Sequence, residues 1–335
     1  MSEKISLSHG GGGRQTHDLI QGVFTKRFGM KYPMTDSAIL TVPSAMIAFT
    51  TDSYVIDPIF FPGGNIGKLA ICGTVNDLAV SGADPKYIAA AFIIEEGFGT
   101  SDLEKIASSM ADEAEAAGVK IVTGDTKVVE KGQCDGLFIT TTGVGILREE
   151  YAHISSAIRV RSGDRLIING SSGNHAVTIL AARRNLTFDV PLISDCAALN
   201  HMIRKVLDNN DGVHFMRDLT RGGLAAVLNE LAAMTGRGIT VEEDSVPVDE
   251  PVRGLCEILG FDPLAMANEG KVIVVAAPGE ADKILNIMRS CPEGKDSSII
   301  GIITEERPGR VVLNSSTGGT RFLDLPSGIQ LPRIC

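Results

Sequence analysis

Residues 50–85 read TTDSYVIDPIFFPGGNIGKLAICGTVNDLAVSGADP, and two kinds of element follow one another in them. The stretch opens on the end of a short apolar run, 46–51, that suits a strand. Past a Pro-Gly-Gly turn, 68–80 carries apolar and small side chains at helical spacing. Between them, the run from Gly63 to Lys68 imitates the end of a phosphate-binding P-loop. The likeness fails twice: Pro62 stands at the first required glycine, and Leu69 replaces the Ser or Thr that would meet a magnesium ion. A nucleotide site in this chain therefore belongs to another class.

Upstream, 13–28 reads as a helix with Leu19, Ile20, Val23, Phe24 and Phe28 on one face. Downstream, 87–94 reads as a buried strand. Ser101-x-x-Glu104 reads as a capping box opening a helix that Gly118 closes, and 119–123 and 137–144 as further strands. A polar break covers 149–157. The alternation then resumes with strand 166–169, helices 174–184, 197–207 and 223–235, strands 239–242 and 271–276, and helix 279–289. The expected architecture is a two-domain α/β (α+β) chain, 1–154 and 155–313, with a tail at 314–335. Pro326, Gly328 and Pro332 keep that tail from being helical and favour an extended, mobile end.

Composition narrows the function. With 31 Lys+Arg against 41 Asp+Glu the net charge is -10, a balance that argues against nucleic acid or an anionic membrane as partner. The longest apolar run, 87–94, is too short to span a bilayer, and the polar, glycine-rich start predicts no signal peptide and a cytoplasmic protein. The six cysteines are scattered without a CxxC pair, so neither a zinc site nor a disulfide framework is expected.

Chemistry is suggested by acidic residues beside small ones: Asp36 in TDSA, Asp52 in TTDSY, Asp77 in VNDLAVSGADP, Asp125 in TGDTK and Asp218 in RDLTRGG. Carboxylates on backbones that a ligand can approach suit magnesium and a polyphosphate. Any single one reads first as a solvated or capping residue, and it is the set of five in such settings that shifts the balance. The tract Gly10–Gly13 before a helix is either an anion cradle or a loose N-terminus. It is no Rossmann fingerprint, since Gln15 stands at the third glycine. Lys127 would neutralise phosphate charge or be a surface lysine; Glu269 would be a general base or a turn residue; Arg221 is a candidate phosphate contact. Cys335, the last residue, is an unhindered terminal thiol suited to carrying an acyl group, or else a chance terminus. A prenylation box is excluded because Pro332 stands where its cysteine would be.

Taken in order, SHGGGGR, DSAIL, the 50–85 stretch, TGDTKVV, SGNHA, RDLTRGG, NEGK and the closing PRIC resemble the HypE family of hydrogenase maturation factors. That family lies in the PurM-like (aminoimidazole ribonucleotide synthetase) superfamily. The resemblance implies an N-terminal domain that forms a shared barrel in a homodimer, a C-terminal α/β domain, and an ATP- and Mg²⁺-dependent carbamoyl dehydratase. HypF would load a carbamoyl group on Cys335, dehydration would turn it into a protein thiocyanate, and the HypC–HypD complex would take the cyanide for a [NiFe]-hydrogenase iron. It implies Cys335, Lys127 and Glu269 in catalysis. It places Gly11, Gly12, Gly13, Asp52, Asn76, Gly124, Thr126, Asn174 and Arg221 at the nucleotide, and Asp36, Asp77, Asp125 and Asp218 at metal. The alternative is another enzyme of the superfamily, such as a selenophosphate synthetase or a small-molecule kinase. Against the former, Gly13 runs into Arg14 with no cysteine in the tract. A scaffold presenting its C-terminal peptide is the non-enzymatic reading.

Overall fold

The computed structural model describes residues 13–19, 21, 38–42, 45–186, 189–326, 331 and 333–335. Gly11, Gly12 and Asp36, and most of the helix expected over 13–28, lie outside them; the described part is α1 (Arg14–Leu19). The first half continues with β1 (Ala38–Val42), β2 (Ala45–Tyr54), a short ladder of β3 (Phe60–Phe61) and β4 (Gly64–Asn65), and α2 (Ile66–Val80). Then come β5 (Ala83–Glu95), α3 (Thr100–Ala117), β6 (Lys120–Val129) and β7 (Leu137–Leu147). One five-stranded sheet runs β1-β2-β7-β5-β6, antiparallel except where β5 meets β6.

Helix α2 explains why 50–85 organises this half. Thirteen of its 15 residues are buried, so it is enclosed on all sides rather than presenting one apolar stripe. Its start is capped by Asn65, whose Oδ1 accepts from the backbone N–H of Gly67 (2.8 Å) and Lys68 (3.2 Å). Those amides are therefore satisfied within the chain, which is the structural counterpart of the failed P-loop pattern. The sheet has two unlike faces. Even-numbered residues of β2 and odd-numbered ones of β7 point toward α2, while Phe49, Thr51, Ser53 and Thr140 face outward.

Two local expectations are corrected here. Helix α3 is capped by Gly99, with no side-chain bond, and Ser101 lies inside its first turn, so no capping box forms. Residues 124–127, beyond the end of the strand expected over 119–123, lie within β6, held in a parallel ladder against β5.

The second half holds β8 (Arg165–Ile168), α4 (Asn174–Arg183), α5 (Asn200–Asn209), β9 (Val213–Asp218), α6 (Gly223–Thr235), β10 (Gly238–Glu242) and α7 (Glu250–Leu259). β11 (Val272–Ala276), α8 (Ala281–Arg289), β12 (Ser298–Thr304), β13 (Val311–Asn314) and β14 (Thr320–Phe322) complete it. Its seven-stranded sheet runs β14-β13-β10-β12-β8-β11-β9. Residues 314–322, expected in a structureless tail, instead turn back as a hairpin on β13 and form the edge of this sheet. The halves share a core: α4, Cys196, Val252 and Met266 of the second pack on α2 of the first, together with Ile334 from the end of the chain. Helix α1 is tied to the second half through Glu230, whose carboxylate meets both His17 and Arg217 at 3.0 Å.

Candidate active site

The last three residues are bound inside their own chain. The Arg333 carbonyl accepts from the Asp57 N–H (3.3 Å) and from Arg183. The Arg333 side chain donates to the Val55 carbonyl (2.9 Å) and pairs with Asp135. Ile334 is 5% exposed in the shared core, and its carbonyl meets His175 Nε2 at 2.8 Å. The Cys335 carbonyl accepts from the Val55 N–H at 3.0 Å. Backbone N–H groups, Arg183 and His175 thus hold this end at each of its last three residues. Local sequence permits it, because Val55–Asp57 leaves β2 before the ladder begins and keeps unpaired groups for the tail.

Around the Cys335 thiol stand Glu269, Arg221, Asp52 and Asp218. Burial pushes the thiol up to about 12; the charges of Glu269, Asp52 and Asp218 add to this and Arg221 opposes it. Arg221 is in turn held above its usual range, first by Cys335 and then by Asp52, Glu269 and Asp77. Glu269 is 3% exposed, and burial, with Cys196, Asp195, Asp218 and Asp52 nearby, raises its carboxyl well above the ordinary glutamate range. Its Oε1 has no hydrogen-bond partner among the described residues. Burial also raises Asp52, whose carboxylate touches that of Asp77 and accepts from the Tyr54 hydroxyl at 3.2 Å. Thr50 donates to Asp77 Oδ2 at 2.6 Å.

Of the residues expected here, Asp52, Asp77, Asp218, Arg221, Glu269 and Cys335 come together. Asp125 and Lys127 do not. The registers Asp52↔Thr141, Thr141↔Ala90 and Ala90↔Gly124 put Gly124 on the face of the sheet that carries Asp52. Thr126 shares that face by alternation. Asp125 and Lys127 take the opposite, outward face, pair with each other at 3.7 Å, and are about 67% and 72% exposed. Asn76 is consumed within the fold: its amide donates to the carbonyls of Ala197 (3.0 Å) and Glu269 (3.4 Å) and its oxygen accepts from the Leu199 N–H. Asn174 donates to Asp249 at 2.7 Å, while its Oδ1 is buried without a partner among the described residues. Gly13 packs against Pro326, whose carbonyl a Cβ would strike.

Sequence reasoning missed the residues that hold the tail, His175 and Arg183, and missed Asp195, which accepts from the N–H groups of Glu269 and Gly270 and from Lys271. Burial alone would raise Asp195, but Lys271, His175 and the Glu269 amide bring it below the usual carboxylate range. Only the His in SGNHA was visible in a quoted motif. No three His, Cys, Asp or Glu side chains converge as a metal cluster among the described residues.

Two family models match, "AIR synthase related protein, N-terminal domain" over residues 34–147 and its C-terminal counterpart over 161–314. The carbamoyl dehydratase HypE of Rhodobacter capsulatus is 50% identical over 99% of this chain and 98% of that protein. The chain belongs to the carbamoyl dehydratase HypE family. Among solved HypE structures, one described as a HypE–HypF complex superposes with a TM-score of 0.86 at 47% identity, covering 92% of this chain and 99% of that one. Another, HypE in complex with ATP, gives 0.84 at 43% identity, covering 99% and 100%. The PurM-like expectation is thereby met, and the match over both halves favours HypE over the other enzymes of the superfamily.

Proposed function

We propose that this chain performs the HypE reaction on its own end: ATP-dependent dehydration of an S-carbamoyl group on Cys335 to a thiocyanate, in [NiFe]-hydrogenase maturation. The observation that carries this reading is the position of the Cys335 sulfur, among Glu269, Arg221, Asp52 and Asp218, at the end of a tail bonded to its own chain. Delivery on a tether replaces diffusion of a substrate, and here the tether acts within one chain.

An amide does not lose oxide. Transfer of the γ-phosphoryl group to the carboxamide oxygen converts that oxygen into a phosphate leaving group. One N–H proton is lost as the phosphorylated imidate forms, and removal of the second forms the C≡N bond as phosphate departs, giving ADP, phosphate and Cys335–S–C≡N. Glu269 Oε1 is the proton acceptor: a buried oxygen lacking a donor is what an incoming carbamoyl NH₂ would satisfy. Arg221 faces the same atoms and balances charge on the transferred phosphoryl group. Asp52 and Asp77, two carboxylates in contact, would hold a magnesium ion, which would supply charge neutralisation for the phosphates.

We further propose a homodimer built through the outward face of the first sheet. That face leaves Phe49, Tyr87, Ile93 and Ile146 between 40% and 50% exposed, and Asp125 and Lys127 stand beside them. In such a pair these two residues are offered to the other copy. HypC–HypD as acceptor of the cyanide follows from the family reaction. Six unpaired cysteines suit a reducing cytoplasm, and no helix among the described residues is long and apolar enough to cross a membrane.

Removing residues 333–335 separates tail chemistry from a reaction on a free small molecule. The truncated protein is expected to form no thiocyanate while still binding ATP; retention of full ATP-dependent turnover on any soluble amide would refute the tethered substrate.

A further inference from the structure

Resting on the tail-delivery reading, we propose that His175 and Ser194 form a latch that grips the docked tail by its last peptide carbonyl and couples this grip to the placement of Glu269. A carbonyl only accepts, so at 2.8 Å from the Ile334 oxygen His175 Nε2 must carry the hydrogen. In the neutral ring Nδ1 is then an acceptor, and the Ser194 hydroxyl 2.7 Å away supplies its proton. Ser194 Oγ in turn accepts from the Cys196 N–H at 3.1 Å. Polarity therefore runs one way, from the Cys196 amide through Ser194 and His175 to the tail. The ring is wholly buried and stands edge-on to Phe61, with centroids 5.6 Å apart, which fixes its plane. Burial lowers the imidazole below its ordinary range, which favours the neutral form this chain of bonds requires.

The next residue in the same loop holds the base. Asp195 accepts from the N–H groups of Glu269 (3.2 Å) and Gly270 (3.1 Å) and from Lys271 Nζ (3.0 Å). Gly270 must be glycine, since a Cβ there would strike the Asp195 carbonyl. One three-residue segment, 194–196, thus orients His175, which holds the tail, through Ser194 and meets the Glu269 turn through Asp195. His175 and Ser194 are positioning residues: they act on the reaction through the tail and the loop, not on the reacting atoms.

The test uses the full-length protein without nucleotide. Iodoacetamide labels Cys335, and the peptide 324–335 released by cleavage before Asp324 is quantified by mass spectrometry. His175→Leu is expected to label about 10-fold faster than wild type, the factor for one lost buried hydrogen bond. His175→Gln, whose side-chain N–H reaches the place of Nε2, is expected within about 3-fold of wild type. After carbamoylation, the Leu variant should also dehydrate more slowly with ATP and the Gln variant should recover most of the rate. Equal protection of Cys335 in wild type and His175→Leu would overturn the latch alone, as would equally fast labelling of the Leu and Gln variants. Wild-type Cys335 labelling as fast as in the urea-unfolded chain would overturn the docked tail and the latch with it.

Discussion

Glu269→Gln is expected to leave the carbamoylated tail intact in the presence of ATP and magnesium, slowing dehydration roughly a thousandfold, within the range ascribed to a positioned base. Glutamine fills the same volume and preserves the backbone bonds to Asp195, but its amide accepts no proton. The carboxylate it replaces is a stronger base than an exposed glutamate, because burial first, and the neighbouring Cys196, Asp195 and Asp218 next, raise it well above the ordinary glutamate range. A base works only when deprotonated. The wild-type rate should therefore fall on acidification from a higher pH than an ordinary glutamate would set, and climb to a plateau as the pH rises. Loss of that pH dependence in the Gln variant, read by intact mass over time, completes the assignment. Unchanged dehydration by Glu269→Gln would remove Glu269 from the reaction.

Ile334→Asp is expected to cut dehydration by roughly a hundredfold or more. A buried isoleucine side chain contributes about 2 kcal/mol to docking, and a carboxylate in its place is costly to bury among apolar side chains. Ile334 is 5% exposed and packs with the shared core, so the substitution weakens the docked state and removes that packing from the folded protein. The variant should therefore stay folded, melting only a few degrees lower than wild type, while Cys335 becomes freely alkylated. Wild-type dehydration by Ile334→Asp would mean that the docked arrangement is not the reactive one.

How much of this was legible beforehand varies with the kind of signal. Helix α2 and the strands beside it were legible because an unbroken buried run and strict alternation leave few other placements. The acidic residues that converge, Asp52, Asp77 and Asp218, were marked by the small residues beside them, and Cys335 by its terminal position. The face of the sheet that carries Asp125 and Lys127 was not legible. Gly124, Asp125 and Thr126 look like a loop on propensity, and only the parallel ladder with β5 makes them strand and sets which side each takes. The hairpin at 311–322 was hidden by Ser315–Gly319, which is a turn between two strands rather than the start of a tail. His175 carried no signal of its own, since its role depends on a carbonyl 159 positions away.

The decisive measurement is the intact mass of the full-length protein, loaded on Cys335 by HypF and then given ATP and magnesium. A loss of about 18 Da, one water, confined to the peptide that ends in Cys335 and absent without ATP, is the predicted result. An unchanged carbamoyl adduct after ATP has been hydrolysed would contradict it.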